Sequence, residues 1–177
     1  CTGVRSIWTL EIPCWTLDIP YFSPMKILLV CLGNICRSPL AEGIMKQKIR
    51  EAAFDWEVDS AGTGHWHAGQ LPDRRSIIVA GQHGIDITDQ RARQFQADDF
   101  ERFDKIFVMD TQNLRDVLRH ARNDEHRAKV ELILDQTHPG QDRSVPDPYH
   151  DDDGFEEVFE MLDRACEVFV ARGDWSP

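Results

Sequence analysis

Residues Cys31-Leu32-Gly33-Asn34-Ile35-Cys36-Arg37-Ser38 bring a thiol, a guanidinium and a hydroxyl into one short loop. They follow the apolar run Ile27-Leu28-Leu29-Val30 and precede Pro39. These residue types at this spacing suit the capture and attack of a phosphate group. Gly33 and Asn34 are the residue types most tolerant of left-handed backbone. A loop built on them can curl so that the N–H groups of Leu32, Gly33, Asn34, Ile35, Cys36 and Ser38 surround an anion. A helix starting at Ser38 adds its positive N-terminal end, and Arg37 adds a planar fork for two phosphate oxygens. The same donors favour the thiolate form of Cys31. Ser38 can donate a hydrogen bond to that sulfur. In-line attack on a phosphate monoester would then give a phosphocysteine intermediate.

The leaving oxygen needs a proton, so a general acid should lie across the phosphorus. Asp147, in Val145-Pro146-Asp147-Pro148-Tyr149, is the candidate, on a loop stiffened by a proline on each side. Taken alone, Asp147 reads equally well as a turn carboxylate. Trp66 and Tyr149 are candidates for the rim around an aromatic substrate ring.

The positioning elements alternate along the chain. Lys26–Val30 reads as a buried strand. Ser38–Ala53 reads as a helix, with Ser38 as its cap and Pro39 in its first turn. Trp56–Ser60 is a strand, and Pro72–His83 a helix stopped at Gly84. Lys105–Met109 is a third strand, Thr111–Ala121 a helix capped by Thr111, and Val130–Leu134 a fourth strand. A polar loop follows over Asp135–Asp153. In the last helix Phe155, Val158, Phe159, Leu162, Cys166 and Phe169 share one face, which makes Cys166 a small core residue. The expected fold is therefore α/β, a three-layer sandwich with a four-stranded parallel sheet and helices on both faces. Cys31 stands at the carboxyl end of the first strand, where such sheets bind ligands.

Composition narrows the function classes. The 177 residues suffice for one domain, and 41% hydrophobic with 29% charged residues is a globular balance. The net charge of -11, with no basic stripe, excludes a duplex-binding surface and implies no nucleic-acid partner. Acidic runs such as Asp151-Asp152-Asp153 read as solvated surface. Cys31, Cys36 and Cys166 form neither a disulfide framework nor a paired metal motif, which points to a reducing, cytoplasmic setting. No apolar run approaches the ~20 residues of a membrane span. His65-Trp66-His67 lacks a nearby third ligand, so no metal is expected. Residues 1–24 read as an N-terminal extension, with the functional domain over 25–177. The alternative is an arm packing Trp8 and Trp15 on the domain.

VCLGNICRSPLAE directly after a first strand, with PDPY late in the chain, resembles the low-molecular-weight protein tyrosine phosphatases from Met25 to about Arg172. The resemblance implies a four-stranded parallel sheet and no cofactor. It casts Cys31 as nucleophile, Arg37 as phosphate-binding residue, Asp147 as general acid and Ser38 as the hydroxyl steadying the thiolate. It implies that Asn34 is held in strained geometry by Ser60 and His83, with Glu42 holding that histidine. It also implies that Cys36 can form a reversible disulfide with Cys31 under peroxide, against the simpler reading of packing behind the loop. The expected partner is a phosphotyrosyl protein, an autophosphorylated tyrosine kinase among the candidates, met by a monomer. His150 stands where many relatives carry a second tyrosine.

Four other readings share these residues. Arsenate reductases relay oxidation through further cysteines, and none lies between Cys36 and Cys166. Phosphoarginine phosphatases tend to have threonine where this chain has Ile35, whose apolar side chain favours a flat phenyl ring. A non-catalytic phosphate-binding module would be expected to lack Cys31 or Asp147. A thiol oxidoreductase would space its cysteines C-x-x-C, whereas four residues separate Cys31 from Cys36.

Overall fold

The structure is a computed structural model that describes residues 24–150 and 154–173. The extension read over residues 1–24, with Cys1, Trp8, Cys14 and Trp15, lies outside the described residues apart from Pro24.

Four strands form one parallel sheet in the order β2-β1-β3-β4: β1 (Lys26–Cys31), β2 (Glu57–Gly62), β3 (Lys105–Val108) and β4 (Val130–Leu132). The register sets Leu29 beside Ser60 and Phe107, and Cys31 beside Gly62. Side chains alternate across the sheet. Ile27, Leu29 and Phe107 join one buried cluster, while Leu28, Val30, Ile106 and Val108 join the other. Both faces are covered, which is why the strands read as continuous apolar runs rather than alternating ones.

On the first face lie α1 (Arg37–Glu51), α2 (Arg74–Gln82) and α6 (Gly154–Arg172). The α6 stripe read from the sequence is buried, and Cys166 is fully enclosed with its Sγ 4.0 Å from Ala41 O. Burial pushes its thiol pKa well up, as for an inert core residue. The second face carries α3 (Asp99–Arg102), α4 (Thr111–Leu118) and α5 (Asp124–Ala128). Neither α3 nor α5 is legible as a periodic pattern, because four and five residues are too few to show one.

Several boundaries differ from the sequence reading. Helix α1 begins at Arg37, with Cys36 as the N-cap and no side-chain capping bond. Ser38 is therefore not a cap, since its hydroxyl turns to Cys31 instead. Helix α4 is capped by Asp110, which accepts from Asn113 N at 2.7 Å, rather than by Thr111. Strand β4 stops at Leu132, and Ile133–Gln136 tightens into a 3-10 turn. A second such turn, Pro148–His150, interrupts the polar loop.

Helix α2 is capped by Asp73, whose carboxylate accepts from Arg75 N at 2.8 Å and from the Arg75 guanidinium at 3.0 Å. The Arg75 side-chain bond is the main reason the Asp73 carboxyl sits below the usual aspartate range. A depressed carboxyl pKa stabilises the fold above the unfolded value of about 3.9, and that stability is lost as pH falls through the lower folded value. Asp73→Ala should cost about 1 kcal/mol near neutral pH. Urea unfolding at pH 7 and at pH 3 checks this, with a smaller difference expected at the lower pH.

Candidate active site

The loop after β1 leans on the end of β2. A Cβ at Gly62 would sit 2.8 Å from Leu32 O and 3.0 Å from Gly33 C, so only glycine admits this approach. Backbone bonds seal the seam, with Thr63 N donating to Cys31 O at 2.9 Å and Gly64 N to Leu32 O at 2.8 Å. On the other side Asp73 N donates to Ile35 O at 2.7 Å, tying the loop to the start of α2.

Of the two residues expected to be left-handed, Asn34 is, with φ 55°, and Gly33 is not among the positive-φ positions. Gly33 is needed for space, because a Cβ there would press on His67 Cδ2 at 3.1 Å. Asn34 is held at both ends of its amide. Its Oδ1 accepts from Arg93 N at 2.9 Å, which assigns the oxygen end. Its Nδ2 then donates to Ser38 Oγ at 2.9 Å and Ser60 Oγ at 2.8 Å. Ser60 in turn donates to Glu42 Oε2 at 2.5 Å. Because Ser38 accepts from Asn34, its own proton can go to the Cys31 sulfur at 3.1 Å or to the Ala61 carbonyl at 3.4 Å, and a thiolate at the shorter distance is the stronger acceptor. Asn34 N donates to the same sulfur at 3.2 Å. Two donors thus converge on Cys31 Sγ and stabilise negative charge there.

Arg37 is 97% enclosed and makes three contacts at its guanidinium. Nη1 reaches Asp110 Oδ2 at 2.7 Å and Val145 O at 3.1 Å, and Nη2 reaches Asp147 Oδ2 at 3.0 Å. Burial by itself would lower the Arg37 pKa, but Cys31, Asp147 and Asp110 outweigh it and the pKa is raised. The cation is permanent at any working pH. Val145 N donates to Met109 O at 2.8 Å, which clips the late loop to the end of β3 and brings Asp147 over the Cys31 loop.

Cys31, Arg37 and Asp147 line one cavity of about 440 Å³ with Leu32, Gly33, Ile35 and Cys36, and Trp66, His67, Tyr149 and His150 complete its walls. Trp66 and Tyr149 are 55% and 44% exposed, as rim residues must be.

The family described as Low molecular weight phosphotyrosine protein phosphatase matches residues 26–173. The chain belongs to this family. Among curated relatives, the low molecular weight protein-tyrosine-phosphatase of Streptomyces coelicolor is 42% identical over 151 residues, covering 82% of this chain and 92% of the relative. The crystal structure of a protein tyrosine phosphatase from Entamoeba histolytica aligns with a TM-score of 0.78 at 37% identity, over 85% of this chain and 97% of that one. A Drosophila arginine phosphatase structure aligns with a TM-score of 0.79 at 34% identity, over 86% of this chain and all of that one.

One expected position in this low molecular weight phosphatase is a correction. His83 does not join Asn34, and Glu42 does not hold it. It caps the end of α2, its ring stacked on Phe159 of α6 with centroids 3.9 Å apart and its Nε2 2.7 Å from Glu156 Oε1. Glu42 instead pairs with Lys46 at 2.5 Å and with Ser60. Burial raises the Glu42 carboxyl pKa, and the bonds from Lys46 and Ser60 oppose that rise.

Asp110 and Arg93 were missed by sequence reasoning. Asp110 does double work, capping α4 with one oxygen and holding Arg37 with the other. The signal was present as an aspartate in cap position before Thr111, but nothing local names Arg37 as its partner. Arg93 binds Asp59 and the buried Asp99 through its side chain while its backbone orients Asn34.

Proposed function

We propose that the chain hydrolyses phosphotyrosine through a phosphocysteine intermediate, with residues 25–177 as the catalytic unit. The observation that carries this reading is the convergence of a doubly hydrogen-bonded sulfur, a buried guanidinium and a carboxylate on one cavity. Phosphate oxygens would be held by the loop N–H groups and by Arg37. To bind them, Arg37 Nη2 exchanges Asp147 Oδ2 for a phosphate oxygen. That exchange leaves the Asp147 carboxyl free to face the leaving group, so substrate capture and release of the acid are one event.

Released from Arg37, the Asp147 carboxylate takes up a proton from solvent. Cys31 Sγ then attacks phosphorus in line, the S–P bond forms as the P–O ester bond breaks, and Asp147 gives that proton to the departing phenolate. Asp147 then takes a proton from water as that water attacks the phosphocysteine. Inorganic phosphate leaves and the Cys31 thiolate is restored. Ser38 and Asn34 N receive the returning charge on sulfur. Trp66 and Tyr149 would flank the ring, with Ile35 as an apolar wall.

Cys36 has a different standing. Burial, reinforced by the charges of Asp73, Cys31 and Asp147, pushes its thiol up to about 12. It is a neutral, buried thiol at the cavity wall and a poor nucleophile toward an oxidised Cys31, which supports a packing role over a disulfide with Cys31.

The similarity to an arginine phosphatase structure gives one second reading, phosphoarginine hydrolysis. Ile35 on the cavity wall favours the aryl ester. Steady-state kinetics of the full chain on phosphotyrosine, phosphoserine, phosphoarginine and arsenate decide between them. The highest kcat/KM is expected on phosphotyrosine, and faster turnover of phosphoarginine would overturn this reading. A phosphotyrosyl protein, a tyrosine kinase among the candidates, is the proposed macromolecular substrate of a monomer. Free thiols at Cys31, Cys36 and Cys166 suit a reducing cytoplasm. No helix among the described residues is long and apolar enough to cross a membrane.

A further inference from the structure

A second cavity, of about 280 Å³, adjoins the catalytic one. Leu32 and Trp66 line both, so these two side chains form their shared wall. That wall is built rather than incidental. Gly64 has no Cβ, and a Cβ there would run into the Trp66 indole, so the ring lies directly on the backbone. Leu32 stands on the other side, 40% exposed and fixed by the Gly64 N–H to its carbonyl at 2.8 Å.

The far side of this cavity is supplied by the C-terminal end of α4 through Asp116, Arg119 and His120. Asp116 is the one acid lining it, and its two oxygens are already engaged. Oδ1 receives Arg119 Nη1 at 2.7 Å, and Gln112 Nε2 lies 3.0 Å and 3.1 Å from the two oxygens. The Arg119 side chain nonetheless remains 70% exposed, with guanidinium N–H groups beyond the one given to Asp116. Arg115, bonded to Gln112 at 2.8 Å, adds a further positive charge to the same helix edge. With Asp116 set against Arg115 and Arg119, this edge keeps one net positive charge in a chain of net charge -11.

We propose that this cavity is the subsite for an acidic residue flanking the phosphotyrosine of a protein substrate. The proposal rests on the phosphotyrosine reading of the neighbouring site. With the phosphotyrosyl ring in the catalytic cavity, an extended peptide advances about 3.3 Å per residue. A side chain one or two positions away therefore clears the Trp66–Leu32 wall and lies over α4. Its methylenes pack on Leu32 and Trp66, and its carboxylate meets Arg119 and His120. An apolar residue would fill only the near side and leave the guanidinium to solvent, and a lysine would meet Arg119 with like charge. The subsite thus selects among phosphotyrosyl sequences without touching the reacting atoms.

The test uses the full chain and phosphotyrosyl peptides that differ only in carrying Glu, Ala or Lys at the two positions on either side of the phosphotyrosine. Wild-type kcat/KM should favour the Glu peptide over the Lys peptide by about fivefold to tenfold, and rising salt should shrink that preference. Arg119→Glu should abolish or reverse it, and Arg119→Ala with His120→Ala should flatten it. All variants should hydrolyse p-nitrophenyl phosphate at the wild-type rate, because that ester does not reach α4. A Glu preference that survives both variants, or no preference in the wild type, overturns the subsite while leaving the phosphatase reading intact. Failure of wild-type protein on p-nitrophenyl phosphate and on every peptide would instead remove the phosphatase reading beneath it.

Discussion

Cys31→Ser is expected to abolish hydrolysis of p-nitrophenyl phosphate, a loss on the order of 10⁴-fold or more, as when an enzyme loses its nucleophile. Serine keeps the shape of the side chain and can still accept from Ser38 and from Asn34 N, so the loop should stay folded. What it cannot keep is the negative charge. The two donors at 3.1 Å and 3.2 Å stabilise a thiolate, but an alkoxide is far harder to form at neutral pH. Among the described residues lining the cavity, neither His67 nor His150 is bonded to the sulfur in the way a serine's general base would have to be. Arg37 and the loop N–H groups remain, so calorimetry should still detect phosphate or vanadate binding. Turnover surviving this change would sink the nucleophile assignment.

Asp147→Ala is expected to slow phosphotyrosyl peptides by about 10² to 10⁴-fold, the usual contribution of a positioned acid. p-Nitrophenyl phosphate should lose much less, because its leaving group needs little protonation. The ion pair with Arg37 adds a second signature. Removing Asp147 leaves Arg37 Nη2 without the carboxylate it holds at 3.0 Å, so phosphate no longer displaces a partner. KM for the peptide should therefore hold or fall while kcat drops, a pattern that separates a lost proton donor from a disrupted pocket. Equal losses on both substrates would count against the general-acid role.

These two residues also show how far the chain could be read before it was folded. Cys31 was legible because its partners are local. The donors Asn34 N and Ser38 Oγ lie three and seven residues away, within the same loop and helix start. Asp147 was legible only as a carboxylate between two prolines, one that a turn would explain equally well. Its role depends on Arg37, 110 residues earlier, and on the clip between Val145 N and Met109 O.

The elements divide the same way. Helix α6 was readable across its length because six apolar positions repeat at helical spacing over several turns. Strand β4 was read two residues too long because Ile133 and Leu134 are as apolar as a strand requires, while the chain turns there to meet α6. Ser38 was read as a cap from its type, and the demand of the Cys31 sulfur for a donor outweighed that of the helix end. His83 was assigned by resemblance to the Asn34 network, yet the fold carries it to Phe159 and Glu156.

The residues alone determined the chemistry on offer: a thiol, a fork and two residues tolerant of left-handed backbone in one loop, set on alternating strands and helices. Those features follow from side-chain type and from short-range periodicity. The tertiary structure decided which charges meet. Arg37 bonds Asp110 across 73 residues, Asn34 is oriented by Arg93 across 59, and Trp66 divides two cavities because Gly64 lets its ring down onto the backbone. Such partners come together only through the order of strands in the sheet and the close approach of the loops at their carboxyl ends. No local pattern encodes that order, because pairing energy depends on distance in space and not on distance along the chain.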